Sequence, residues 1–184
     1  MKLLKKIYLG LISILYWILF KILYRRRVNM HVINSIRGSL HLEMLKDSSL
    51  SIGEFLMSRG PLYIKCMEGA QLDIGDNVFF NHNCSITTAK RIRIGSNCMI
   101  ANNVVIVDHN HVVKMDGSTS ELTCEEITIG DSVWIGANVT ITMGVRIGNG
   151  AVIGANSVVV HDIEAHSIYA GVPAKKIKSL HEEQ

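Results

Sequence analysis

The 184-residue sequence predicts an all-β body, a chain wound into a parallel β-helix of triangular section with an apolar helix before it and a short helix after it. Three observations predict this. An aliphatic residue returns every six positions at Ile129, Ile135, Ile141, Ile147, Ile153 and Val159, and a small or β-branched residue follows the first five at Val133, Val139, Val145, Ala151 and Ser157. The same beat runs earlier through Ile74, Phe80 and Ile86, then through Ile94, Ile100 and Ile106 after a two-residue slip near Lys90. The composition is apolar and Gly-rich, with two prolines and 6% aromatic residues.

The chain opens with an almost wholly apolar run from Ile7 to Leu23, interrupted by Ser13 and Lys21 and edged by Tyr8, Tyr16, Trp17 and Tyr24. It predicts a lipid-associating helix over 1–28. The run meets Arg25, Arg26 and Arg27 instead of a small-residue cleavage site, so a cleaved signal peptide is not expected. It is slightly short of the ~20 apolar residues a span requires, which favours a helix lying in the leaflet. The formal charge of +3 is concentrated here, at Lys2, Lys5, Lys6, Lys21 and Arg25 to Arg27. That clustering suits anionic lipid, and no basic stripe in the body supports nucleic-acid binding.

The body is expected over 29–173. A period of six fits neither the 3.6 of a helix nor the simple alternation of a strand. It fits short strands separated by turns of about 120°, three to a coil, with coils stacking in parallel. The phrase aliphatic-x-Ile-Gly marks successive coils at Leu50 to Gly53, Leu72 to Gly75, Ile92 to Gly95, Ile127 to Gly130 and, with Val145 leading, through Gly148. Cys66, Cys84, Cys98 and Cys124 show no CxxC spacing, and Cys84 and Cys98 fall at small repeat positions, so buried free thiols are expected. Between Ile94 and Ile129 the spacing doubles, which implies a coil plus a loop projecting over 108–126. A loop on a rigid scaffold is where function concentrates.

With these residues the sequence resembles the hexapeptide-repeat acyltransferase superfamily over roughly residues 48–180. Val133-Trp134-Ile135-Gly136-Ala137 and Ala170-Gly171-Val172-Pro173-Ala174-Lys175 are similar to signatures of its maltose, galactoside and polysaccharide O-acetyltransferase branch. The resemblance implies a left-handed winding, an acetyl-CoA-dependent O-acetyltransferase without a metal, and a homotrimer with active sites between subunits.

Transfer of acetyl to a hydroxyl requires a base, and imidazole suits neutral pH. The projecting loop begins Asp108-His109-Asn110-His111. Counting eleven residues from Ile100, as the resemblance implies, lands on His111; His109 is the alternative base and Asp108 an orienting carboxylate. By the same resemblance Asn81, with Asn83 beside it, would bind the acceptor. Trp134, Ala137, Ala155, Lys175 and Lys178 would bind coenzyme A, small residues admitting the pantetheine and cations meeting phosphate. A short helix over 174–184 would cap the prism.

The apolar N-terminus points to a surface polysaccharide or a lipid-linked glycan precursor as acceptor, on the cytoplasmic side of the cell membrane. A small soluble acceptor, a sugar or serine-like, is the alternative. His82, His109 and His111 also raise a zinc site resembling γ-type carbonic anhydrases, although the spacing of the last two is too short for that family. A non-catalytic scaffold is a further rival.

Overall fold

The computed structural model describes residues 2–115, 117–119 and 121–180, with the side chains of residues 2–7 and 9 excepted. The expected triangular prism is present. Short parallel strands stack into three faces, and Leu50, Leu72, Ile92 and Ile127 lie in register on the first of them. The second face stacks Phe80, Ile100, Ile135 and Ile153, and the third Ile64, Ile86, Ile106 and Ile141. All twelve of these side chains are buried. Period-two alternation within each strand sends one residue inward and its neighbour outward, so the six-residue beat of the sequence is the length of one face plus its corner.

Corners follow a rule of their own. Asn77 and Asn97 turn the first corner, and Asn83, Asn103, Asn138 and Asn156 the second, all with φ between 55° and 59°. Asparagine tolerates this left-handed backbone better than most residues. At the second corner each amide donates to the next coil: Asn83 to Asn103, Asn103 to Asn138 and Asn138 to Asn156, each at 2.9 Å. Glycine is required for a different reason at Gly136, where an added Cβ would fall 2.6 Å from the backbone nitrogen of Ala155 on the next coil.

The helix Lys2–Tyr24 closes the N-terminal end of the prism. Coil one has no earlier coil to pair with, and side chains of this helix meet its free backbone. Ile36 N–H donates to Ser13 Oγ at 3.1 Å, Leu40 N–H to Tyr16 Oη at 3.3 Å, and Tyr24 Oη–H donates to Leu42 O at 2.9 Å. Phe20 is buried between them. The apolar run is thus a plug for a strand edge as well as an exposed apolar surface. Among the described residues, no helix is long and apolar enough to cross a membrane.

The C-terminal end corrects the sequence-based expectation of a helix over 174–184. Lys175–Ser179 is a strand running antiparallel to Ser167–Ala170 on the second face, and His181 to Gln184 lie outside the described residues. The open strand edge of the last coil explains the difference. A chain folding back through Gly171 to Ala174 can pair with that edge through its backbone, whereas a helix would leave those groups unpaired.

Candidate active site

The projecting segment is a two-stranded antiparallel hairpin, His109–Val112 with Glu121–Cys124, leaving the prism at its third corner. Asp116, in its turn, lies outside the described residues. Asp108, at the root, continues an inward-facing column on the third face formed by Met44, Cys66 and Thr88. It is wholly buried. Its carboxylate accepts from Ala89 N–H at 2.6 Å, Lys90 N–H at 2.9 Å and Thr88 Oγ1 at 2.7 Å. The slip near Lys90 builds this cradle, because the extra residues turn two backbone N–H groups towards the coil above. Thr88, Ala89 and Lys90 were not singled out from the sequence, though the slip was their signal.

The fourth partner of Asp108 is His109, whose Nδ1 lies 3.2 Å from Oδ1. An ionised carboxylate can only accept, so Nδ1 carries the hydrogen and Nε2 is the basic nitrogen. The His109 side chain is only 14% exposed. His111 stands differently. It is exposed, and its Nδ1–H donates to Thr119 O at 2.9 Å. The orienting contact expected for His111 therefore belongs to His109; in the strand His111 is displaced one repeat outward along the hairpin, beyond reach of the buried acid.

Asp108 marks its surroundings electrostatically. Burial, with the Asp108 charge adding to it, pushes the Cys66 thiol up to about 12. The Cys124 thiol is raised by the same two causes.

Asn81 is at the second corner, its Oδ1 accepting from His82 N–H at 3.0 Å. Asn83 is engaged in the amide ladder, where its amide group holds the next coil. Asn81 heads a column of small residues, Ala101, Gly136, Gly154 and Ala170 following it on successive coils. Ala137 and Ala155 are neighbours along the same corner, where Asn156 N–H donates to Ala137 O at 2.8 Å. Trp134 stands outward on the second face, 54% exposed, and Lys175 pairs with Ala170 at the column's far end. Lys178 is exposed on the same last strand, opposite Ile168.

The predicted donor and acceptor residues thus share one edge of the prism, while His109 is at the next. The strand Cys84–Thr88 separates Asn81's corner from the Asp108 cradle, about 16 Å for five residues. His82 is also at the second corner, its Nδ1 2.6 Å from Gly60 O, so the three histidines of the zinc alternative do not converge. Among the described residues, no three His, Cys, Asp or Glu side chains are grouped to hold a metal ion.

Comparison with known proteins agrees with this architecture. Residues 126–161 match the bacterial transferase hexapeptide (six repeats) model, and 71–107 the hexapeptide repeat of succinyl-transferase model. The chain is 35% identical over 140 residues to galactoside O-acetyltransferase of Escherichia coli K12, covering 76% of this chain and 68% of the relative. It is 37% identical over 147 residues to the putative lipopolysaccharide biosynthesis O-acetyl transferase WbbJ of the same organism, covering 74% and 75%. The hexapeptide-repeat acetyltransferase VCA0836 of Vibrio cholerae, solved with acetyl coenzyme A, superposes with a TM-score of 0.59 at 30% identity, covering 69% of this chain and 72% of that one. The chain belongs to the hexapeptide-repeat family of acetyl-CoA-dependent O-acetyltransferases.

Proposed function

We propose that this enzyme transfers acetyl from acetyl-CoA to a sugar hydroxyl of a surface polysaccharide or lipid-linked glycan precursor, with His109 as general base. The observation that carries the base assignment is the buried Asp108 carboxylate against His109 Nδ1. Nε2 takes the proton as the sugar oxygen attacks the thioester carbonyl. The tetrahedral adduct then expels the coenzyme sulfur, which takes that proton from the imidazolium. Asp108 supports the positive ring throughout, and its three other hydrogen bonds hold it in place.

On this reading acetyl-CoA lies along the small-residue edge, with Trp134, Ala137 and Ala155 beside the pantetheine and Lys175 and Lys178 near phosphate. Asn81 would meet the acceptor. Since His109 and Asn81 are a full face apart in one chain, the site is completed by a second copy, which favours a homotrimer with shared sites. The relatives' names, a galactoside and a lipopolysaccharide enzyme, support a sugar acceptor, and the apolar first helix supports a lipid-linked or surface one on the cytoplasmic side of the cell membrane.

Mass spectrometry of surface glycans from cells with and without the gene tests the acceptor. Loss of an acetyl mass is the expected result, and unchanged glycans together with robust acetylation of a free sugar or serine would overturn it in favour of a small soluble acceptor.

A further inference from the structure

The helix that plugs the prism has two apolar sides, and only one is used. Ser13, Tyr16, Phe20 and Tyr24 face the first coil. At 100° per residue the opposite side carries Leu11, Leu15, Ile18 and Ile22, which are 60%, 65%, 42% and 68% exposed. A ridge of this kind on water is costly unless something covers it.

Charge says what covers it. The first 42 residues contain Lys2, Lys5, Lys6, Lys21, Arg25, Arg26, Arg27 and Arg37 and no Asp or Glu; the first acidic residue is Glu43. At the helix C-terminus, Leu23 and Tyr24 line a concavity of about 510 Å³ with Arg25, Arg26 and Arg27. Arg27 is held by Leu45 O at 2.7 Å and lies over the Tyr24 ring, while Arg25 and Arg26 are exposed. An apolar ridge ending in exposed arginines fits the boundary between acyl chains and anionic headgroups.

We propose that the helix lies flat in an anionic phospholipid surface, so that the prism stands upright on the membrane with its first coil lowest. The consequence for the site is a fixed height. The strands of coil one and of the coil bearing Asp108 are three steps apart on the first face, from Val28 through Leu50 and Leu72 to Ile92, or about 14 Å at 4.8 Å per step. A further ~10 Å separates the helix axis from the strands it packs on. His109 therefore works about 24 Å above the helix axis by the sum of those spacings. Resting on the acetyltransferase reading, this selects as acceptor a sugar held off its lipid carrier by several other residues, and disfavours one joined directly to the lipid.

The orientation is tested without any acetyl transfer. Full-length protein is sedimented with vesicles of phosphatidylcholine, with and without phosphatidylglycerol. Strong binding to the anionic vesicles is expected, lost in Leu15→Glu/Ile22→Glu and weakened several-fold, on anionic vesicles only, in Arg25→Glu/Arg26→Glu. Dichroism and Tm verify that each variant folds. Fluorophores on Asn29→Cys or His161→Cys, in a Cys124→Ser background, then report height by energy transfer to a dye at the lipid surface. Efficient transfer from position 29 and weak transfer from 161 is the expected result. Equal transfer from both overturns the upright orientation. If wild type binds neither vesicle and Leu15→Glu/Ile22→Glu lowers the particle mass instead, the ridge is covered by a second copy and the proposal fails. A membrane-bound, upright protein that does not acetylate glycans would refute the acceptor reading alone.

Discussion

The second and third corners of the same prism solve the same geometric problem in different ways. At the second corner, Asn83, Asn103, Asn138 and Asn156 turn successive coils with nearly identical φ and pass one amide hydrogen bond along the stack. At the third, the repeat breaks. Thr88, Ala89 and Lys90 open a pocket for the Asp108 carboxylate of the coil above, and the chain leaves as a hairpin carrying His109. Repetition produces a rigid edge, and its interruption produces a buried carboxylate in contact with an imidazole. The regular coils have no position for a carboxylate, because their inward places are filled by apolar side chains and a few small hydroxyls such as Ser58 and Ser157.

The contrast can be broken most severely at Asp108. Asp108→Ala leaves two backbone N–H groups without their acceptor, each worth about 1–3 kcal/mol when buried, and returns the Thr88 hydroxyl to Gln71 O alone, so destabilisation of a few kcal/mol and loss of acetyl transfer are expected by denaturant titration and assay. Asp108→Asn is the milder form. Its amide NH₂ would confront Lys90 N–H or Ala89 N–H, so some stability is lost too, but the larger effect expected is on kcat.

Next comes the packing between coils. Gly136→Ala forces a methyl against the Ala155 backbone and must push adjacent coils away from each other; a loss of about 1–3 kcal/mol, typical of overpacking, is expected in urea unfolding. Smaller is the expected effect of Asn138→Ala, which interrupts the ladder and places alanine at a left-handed φ of 59°. It should cost on the order of 1–2 kcal/mol of stability while leaving KM for the acceptor unchanged. An equal outcome for Asn83→Ala would show that this residue supports the edge and does not bind sugar.

The thiols give the smallest effect. Cys66, Cys84 and Cys98 are buried and Cys124 is partly exposed, so the native protein should react rapidly with maleimide at one thiol and the unfolded protein at four. The Cys66 thiol is raised in the fold, so its protonated form is favoured there. Its contribution to stability is complete below the ordinary thiol value of 9.0 and is lost as pH climbs towards about 12. Cys66→Ala should flatten that alkaline decline in the denaturation midpoint.

The same contrast explains what could be read from sequence. Ile129 through Val159 announce the prism because an apolar residue recurs at the same inward place and each face has the same length, and the doubled gap after Ile94 locates the hairpin. Which imidazole the buried carboxylate contacts could not be read by counting, since it depends on a carboxylate held by backbone groups nineteen and eighteen residues away. The asparagine ladder was hidden for a related reason: Asn83 reads as an isolated polar residue until the coils are stacked. At the C-terminus, Lys175 to Ser179 carry no alternation strong enough to mark a strand, and the edge they cover decides their conformation.

The most direct test of the account is the kcat of His109→Ala beside that of His111→Ala, measured with acetyl-CoA and a sugar acceptor on variants whose Tm matches wild type. A fall of about 10²–10⁴-fold is predicted for His109→Ala, as for removal of a general base, and at most a few-fold for His111→Ala. The reverse order would contradict the assignment of the buried Asp108–His109 pair as the catalytic base.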